Sequence, residues 1–150
     1  MIARMIVCTL IMLSAVMAYA KESKVPHGVK PKDVVKAKTQ LLDIEKNIVK
    51  YTNEQRKRYG LAPLKIDLEL VKSAREHAKW MTRNRRLQHT SRPVAENIAM
   101  GYPSSRSVVN GWMNSSGHRA NILNANHRRI GVAAYQTPSG TIYWCQQFRR

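Results

Sequence analysis

Residues 130–148, Ile-Gly-Val-Ala-Ala-Tyr-Gln-Thr-Pro-Ser-Gly-Thr-Ile-Tyr-Trp-Cys-Gln-Gln-Phe, place two β-patterned runs on either side of a turn-forming centre. Ile130–Tyr135 and Thr141–Phe148 are rich in β-branched and aromatic residues, which suit a pleated, half-buried surface. Gln136 to Gly140, with Pro138 and Gly140 inside it, is a five-residue turn of hairpin type. So short a connection can join antiparallel strands but not parallel ones, which need a crossover. Helical patterns precede this hairpin along the chain. Helices first and an antiparallel pair last predict an α+β fold rather than a βαβ array.

Working back from the hairpin, Val108, Val109, Trp112 and Met113 mark a short amphipathic helix. Ser115-Ser116-Gly117 breaks it, and His118–Leu123 is expected to form a further helical turn. Asn84 to Ser105 reads as a polar loop that carries His89 and Glu96. Before it, Asp67 can cap a helix whose apolar stripe is Leu70, Ala74, Ala78 and Met81. His77 falls on that stripe and is expected to be a hydrogen-bonded core histidine. Leu41, Ile44, Ile48, Tyr51, Thr52, Gln55 and Tyr59 lie on one face of an earlier helix, which Gly60 and Pro63 end.

The N-terminal part has another character. Met1–Arg4 is basic, Met5–Met17 is almost wholly apolar, and Ala18-Tyr19-Ala20 has the small-x-small form that precedes cleavage. Residues 1–20 therefore read as a signal peptide cut after Ala20, since the apolar run is shorter than the roughly 20 residues of a spanning helix. Residues 21–40 read as a flexible basic leader, in which His27 has no assigned role, and residues 41–150 as the domain. Cleavage would remove Cys8 and leave Cys145 as a lone, buried and inert thiol, with no disulfide. The expected location is secreted or periplasmic, with no transmembrane anchor after cleavage.

The 150 residues contain 26 Lys and Arg against 9 Asp and Glu, a formal charge of +17. A hydrophobic content of 43% is enough for a core, so the chain is not a disordered basic tail. CxxC, HExxH, GxSxG and a Gly-rich phosphate loop are all missing from the sequence, as is any strained nucleophile turn for a serine hydrolase. Beyond Glu76 the chain has one carboxylate side chain, Glu96, among many Arg residues. A lone acid in such a half is expected to be held by partners at a site or loop. Paired-carboxylate glycosidase chemistry is correspondingly weak. The basic residues Arg83, Arg85, Arg86, Arg92, Arg128, Arg129, Arg149 and Arg150 form either a plain solvated surface or one that attracts anionic envelope polymers, lipid headgroups or extracellular nucleic acid. Export and the lack of an interleaved aromatic motif argue against an intracellular nucleic-acid partner. His127 beside Arg128 reads as part of an exposed loop.

Several segments resemble one family. Leu61-Ala62-Pro63-Leu64, His77-Ala78-Lys79-Trp80-Met81, Leu87-Gln88-His89-Thr90 with Glu96-Asn97-Ile98-Ala99, Gly111–Leu123 (GWMNSSGHRANIL) and Tyr143–Phe148 (YWCQQF) are similar, in order, to motifs of the CAP domain. This is the SCP-like, pathogenesis-related-1 family, and the match is to its bacterial branch. The resemblance spans Leu41 to Phe148. It implies a three-layer α-β-α sandwich with a small antiparallel sheet, and a cleft of two His and two acidic residues that holds a divalent metal in some members.

His89, Glu96 and His118 match three of the four cleft positions. The second acid would fall near Ser115 and is missing, which leaves a cluster of two His, one carboxylate and a hydroxyl. The resemblance makes Asn97, Gly117 and Asn121 supporting residues, with Gly117 permitting a sharp turn that aims His118 inward. Two imidazoles and a carboxylate are chemically competent for zinc, with a position left for water. Three functions follow as expectations. The first is a monomeric binding module for a small ligand, lipid or envelope component, with no required cofactor. The second is a zinc-dependent hydrolase using His89, Glu96 and His118. The third is a cationic surface protein in which the cluster only braces a loop.

Overall fold

A computed structural model describes residues 41–150. The expected signal peptide and leader, with Cys8 and His27, lie outside the described residues. Helix α1 (Asp43–Arg58) begins where Glu45 accepts the Leu42 N–H at 2.8 Å. It ends at Gly60, which takes φ +68°. Strand β1 (Lys65–Ile66) is two residues long. Helix α2 (Leu68–Asn84) follows, its first turn capped by Asp67, which accepts from the Glu69 and Leu70 amides. Arg149 pairs with the same carboxylate. Then come β2 (Ala95–Met100), α3 (Ser105–Met113), α4 (Ser116–Leu123), β3 (Arg129–Gln136) and β4 (Ile142–Arg149).

The sheet order is β1-β3-β4-β2. The predicted hairpin is β3–β4, antiparallel from Arg129 opposite Arg149 to Gln136 opposite Ile142. Two expectations are corrected here. First, the stretch 84–105 is not all loop: β2 lies within it and pairs antiparallel with β4, Glu96 opposite Gln147 and Asn97 opposite Gln146. Ala, Glu and Asn carry little strand propensity, so tertiary pairing overrides the local signal. Second, the sheet is mixed, because β1 runs parallel to β3.

Strand alternation sends side chains to two cores. On one face Ile98, Ala133, Tyr143 and Cys145 meet Ala74, Ala78 and Met81 of α2. On the other, Ala99, Ile130, Val132, Trp144 and Phe148 meet α1, α3 and Ile122 of α4. The architecture is therefore the three-layer α-β-α sandwich of the α+β class. Gly131 lets α2 lie directly on the sheet, since a Cβ there would come within 2.1 Å of the Leu70 carbonyl carbon. A partly buried ion pair, Arg75 to Glu45 at 2.6 Å, ties α2 to α1.

The edge strand β2 is not left bare. Its outer carbonyls accept from side chains: Ile98 O from Trp112 Nε1 at 3.2 Å, and Glu96 O from Asn121 Nδ2 at 3.2 Å. These donors, from α3 and α4, block further strand pairing. His127 is corrected too. Instead of standing in an exposed loop, its ring is buried, donates Nδ1–H to Asn121 O at 3.1 Å and stacks on Phe148. The loop between α4 and β3 turns inward because the core offers an aromatic face and a carbonyl. No helix among the described residues is long and apolar enough to cross a membrane.

Candidate functional site

Strand β2 carries the site because consecutive residues point to opposite faces. Glu96 faces the α2 side and Asn97 the α4 side, and both are buried. The Glu96 carboxylate is held by four donors. Its Oε1 accepts His89 Nδ1–H at 2.9 Å and the Thr90 amide at 3.0 Å. Its Oε2 accepts Gln147 Nε2 at 2.9 Å and lies 3.5 Å from the Cys145 thiol. Burial alone would raise this carboxyl. The bonds from Gln147, Thr90 and His89 and the nearby His77 outweigh it, and the group titrates below its ordinary range. Burial first, and the Glu96 charge second, push the Cys145 thiol well up, so it stays protonated and inert.

His89 donates Nδ1–H to Glu96, which leaves Nε2 on the side of the ring away from the carboxylate. Its side chain is 60% exposed. His77 was expected as a hydrogen-bonded core histidine; it is hydrogen-bonded and mostly buried, and it also borders the pocket beside Glu96. Its Nε2–H donates to Gln88 O at 2.8 Å, and the same nitrogen is 3.8 Å from Glu96 Oε1. Trp80, one turn further along α2, stacks on the His77 ring at 6.0 Å with an interplanar angle of 6°. Trp80 is 40% exposed. Together His77, Trp80, Gln88, His89, Thr90 and Ser91 line a pocket of about 250 Å³.

The remaining expected residues sit round the edge of β2. Asn97 Nδ2 donates to His118 O at 3.1 Å and to Gln146 Oε1 at 3.0 Å, and its Oδ1 accepts from Asn121 Nδ2 at 2.9 Å. This holds the first turn of α4, where His118 stands. Burial, and then the charge of His89, lower the His118 imidazole, so the two rings sense each other. Ser115 is the N-cap residue of α4, and its side chain makes no capping bond. Gly117 does not make the expected turn. It lies inside α4, its φ is not positive, and an added Cβ would meet no atom within 4 Å. Asn114 and Ser115 form the corner instead.

His77, Trp80 and Gln147 belong to the site although none was expected there. The i, i+3 pairing of an imidazole with an indole on α2 was a legible signal, whereas Gln147 is found only through its register opposite Glu96. A metal was also weighed for His89, Glu96 and His118. Among the described residues no three His, Cys, Asp or Glu side chains come together to hold one ion. As folded, both Glu96 oxygens face protein donors.

Residues 49–148 match the family model described as CAP, cysteine-rich secretory protein family. The chain is 40% identical over 121 residues to the uncharacterized protein YkwD of Bacillus subtilis, covering 69% of this chain and 46% of that protein. It thus spans about half the length of that relative, and 36% of a second from the same organism, the uncharacterized membrane protein YlbC. Among solved structures, an outer surface protein of Borrelia burgdorferi superposes with a TM-score of 0.62 at 26% identity, covering 75% of this chain and 98% of that one. An extracellular SCP-domain protein of Bacillus anthracis gives 0.62 at 24% identity, covering 83% and 45%.

Proposed function

The chain belongs to the CAP family and resembles its bacterial members, and on that premise we propose that it is a non-catalytic binding module acting outside the cytoplasm. The observation that carries this reading is the contrast between a saturated Glu96 and an open pocket beside it. A general base or metal ligand needs a free lone pair at the reacting atom. Glu96 has its oxygens turned to His89, Thr90, Gln147 and Cys145, so it serves to set the loop that bears His89.

What remains available is a binding surface: the Trp80 ring, His89 Nε2 and the hydroxyls of Thr90 and Ser91. An aromatic face with polar groups round it suits a hydroxylated ring ligand, such as an amino-sugar unit of an envelope glycan. The likeness to an outer surface protein of Borrelia burgdorferi, with the secretory pattern of Met1–Ala20, supports an extracytoplasmic location.

Trp112 and Trp144 are buried, so intrinsic fluorescence reports ligand contact chiefly at Trp80. Titration with N-acetylglucosamine oligomers is expected to give a saturable change that Trp80→Ala abolishes, with the oligomers recovered uncleaved. A flat titration, or a change that survives Trp80→Ala, would sink the pocket reading. The zinc-hydrolase reading requires Glu96 to leave its partners. Calorimetric uptake of one zinc per chain, lost in His118→Ala, together with cleavage of the oligomers, would restore it.

A further inference from the structure

The corner where α2 ends carries charge that nothing in the domain neutralises. Lys79, Arg83, Arg85 and Arg86 are exposed and flank Trp80 and the half-exposed Leu87. Among the described residues none of the four forms an ion pair. The nearest acids in sequence are occupied: Glu76 pairs with Arg92 at 3.1 Å, and Glu96 is saturated.

The backbone adds an independent observation. Arg85, the C-cap of α2, has φ 49° and ψ 39°, the sole non-glycine residue with positive φ among the described residues. This left-handed position is where helices ordinarily place glycine, because a Cβ there is strained. Favourable charge at the helix C-terminus does not explain it, since Arg83 in the last turn already supplies a cation. A strained residue with an exposed, unpaired guanidinium points to a use for that side chain.

Resting on the pocket reading above, we propose that this corner binds a polyanionic glycan, with a sugar ring on Trp80 and its acidic groups on Arg83, Arg85, Arg86 and Lys79. The pocket alone would accept a neutral ring. The arginines, lying C-terminal to Trp80 on α2 and its cap, select a chain that carries carboxylate or phosphate beyond that ring. Guanidinium forks match both groups, and the shared chemistry is a repeating oxyanion on a glycan backbone.

The test is affinity of the full chain for polygalacturonate, for phosphomannan and for neutral dextran of matched length, at about 0.15 M salt where long-range attraction is screened. Arg83→Gln/Arg85→Gln/Arg86→Gln is expected to weaken polyanion binding roughly tenfold or more. Lys57→Gln/Arg58→Gln/Lys72→Gln removes the same charge elsewhere and is expected to change it much less. Trp80→Ala should weaken binding without altering its salt dependence. Arg85→Gly should raise Tm by relieving the strained backbone, yet weaken polyanion binding, an outcome misfolding cannot mimic.

The carboxylate and phosphate polymers distinguish which oxyanion is preferred, and binding of either supports the proposal. Equal losses in the two triple variants, equal binding of dextran, or equally tight binding of single-stranded DNA of matched charge would overturn it. If N-acetylglucosamine oligomers still report at Trp80 while polyanions do not bind, the pocket reading stands and this one falls. If neither binds, both fall.

Discussion

Glu96 and Asn97 are neighbours on one strand, both buried, and they organise opposite faces of the sheet in different ways. On the α4 side a neutral relay runs from Asn121 to Asn97, on to Gln146 and to Thr52, whose hydroxyl donates to Ile48 O. Every link is amide or hydroxyl, and the relay ties α1, α4, β2 and β4 together. On the α2 side the hub is an anion, its partners include two imidazoles, and solvent reaches the pocket beside it. One buried amide, Gln147 Oε1, has no partner there. The neutral network is architecture closed on itself. The charged one is a scaffold that leaves groups over for something else.

The comparison can be broken most forcefully on the neutral side. Asn97→Ala would strand Gln146 Oε1, Asn121 and the His118 carbonyl, and is expected to cost about 3 kcal/mol. In a domain of this size that lowers Tm by roughly 10–20 °C, measured by calorimetry. A loss below about 1 kcal/mol would mean that the relay is dispensable.

Glu96→Gln comes next. It keeps the shape but replaces one acceptor oxygen by a donor group facing donors, at an expected cost of about 2 kcal/mol. It should also free His89 and weaken the Trp80 fluorescence response. If stability falls while ligand binding is unchanged, Glu96 braces the fold without setting the pocket.

Acid provides a finer probe. Because Glu96 titrates below its ordinary value near 4.5, its contribution is complete above that pH and fades as pH falls through the lowered value. Chemical denaturation from pH 6 down to pH 2 should show an acid limb that Glu96→Gln flattens. Had the group been raised instead, stability would rise on acidification, and that outcome would reverse the assignment.

The smallest expected effect lies between pH 7 and 5. His118 and His127 are lowered, mainly by burial, from ordinary values of 6.5. Burial opposes their protonation, so stability should fall as pH drops through that value. His127→Phe, which keeps the stacking on Phe148, should reduce the slope. An unchanged slope would mean that His127 is not the group responsible.

Much of this was legible in the chain. The hairpin, the helix at Asp67 with its cap and the core stripe Leu70, Ala74, Ala78 and Met81 follow from local chemistry, and they are where expected. The ordered motifs from Leu61 to Phe148 were enough for the family. Strand β2 was not legible, because Ala-Glu-Asn has no strand propensity and gains its conformation from β4 alone. His127 and Gly117 were misread for a related reason. An arginine-rich neighbourhood and a glycine look like loop signals until the core is known to offer a stacking face or a helix simply to continue.

The class of fold and the acid worth watching follow from the chain's local chemistry. Periodicity, caps and a hairpin turn are short-range properties, and the scarcity of carboxylates after Glu76 is a matter of counting. The partners of Glu96, and therefore what it can do, emerge only once the chain is folded. Four donors reach it from β4, from the loop after α2 and from a residue seven positions back, and no single-residue property reports that convergence. Saturated, the carboxylate is a support, and the open Trp80 and His89 beside it are the surface on which the proposed binding rests.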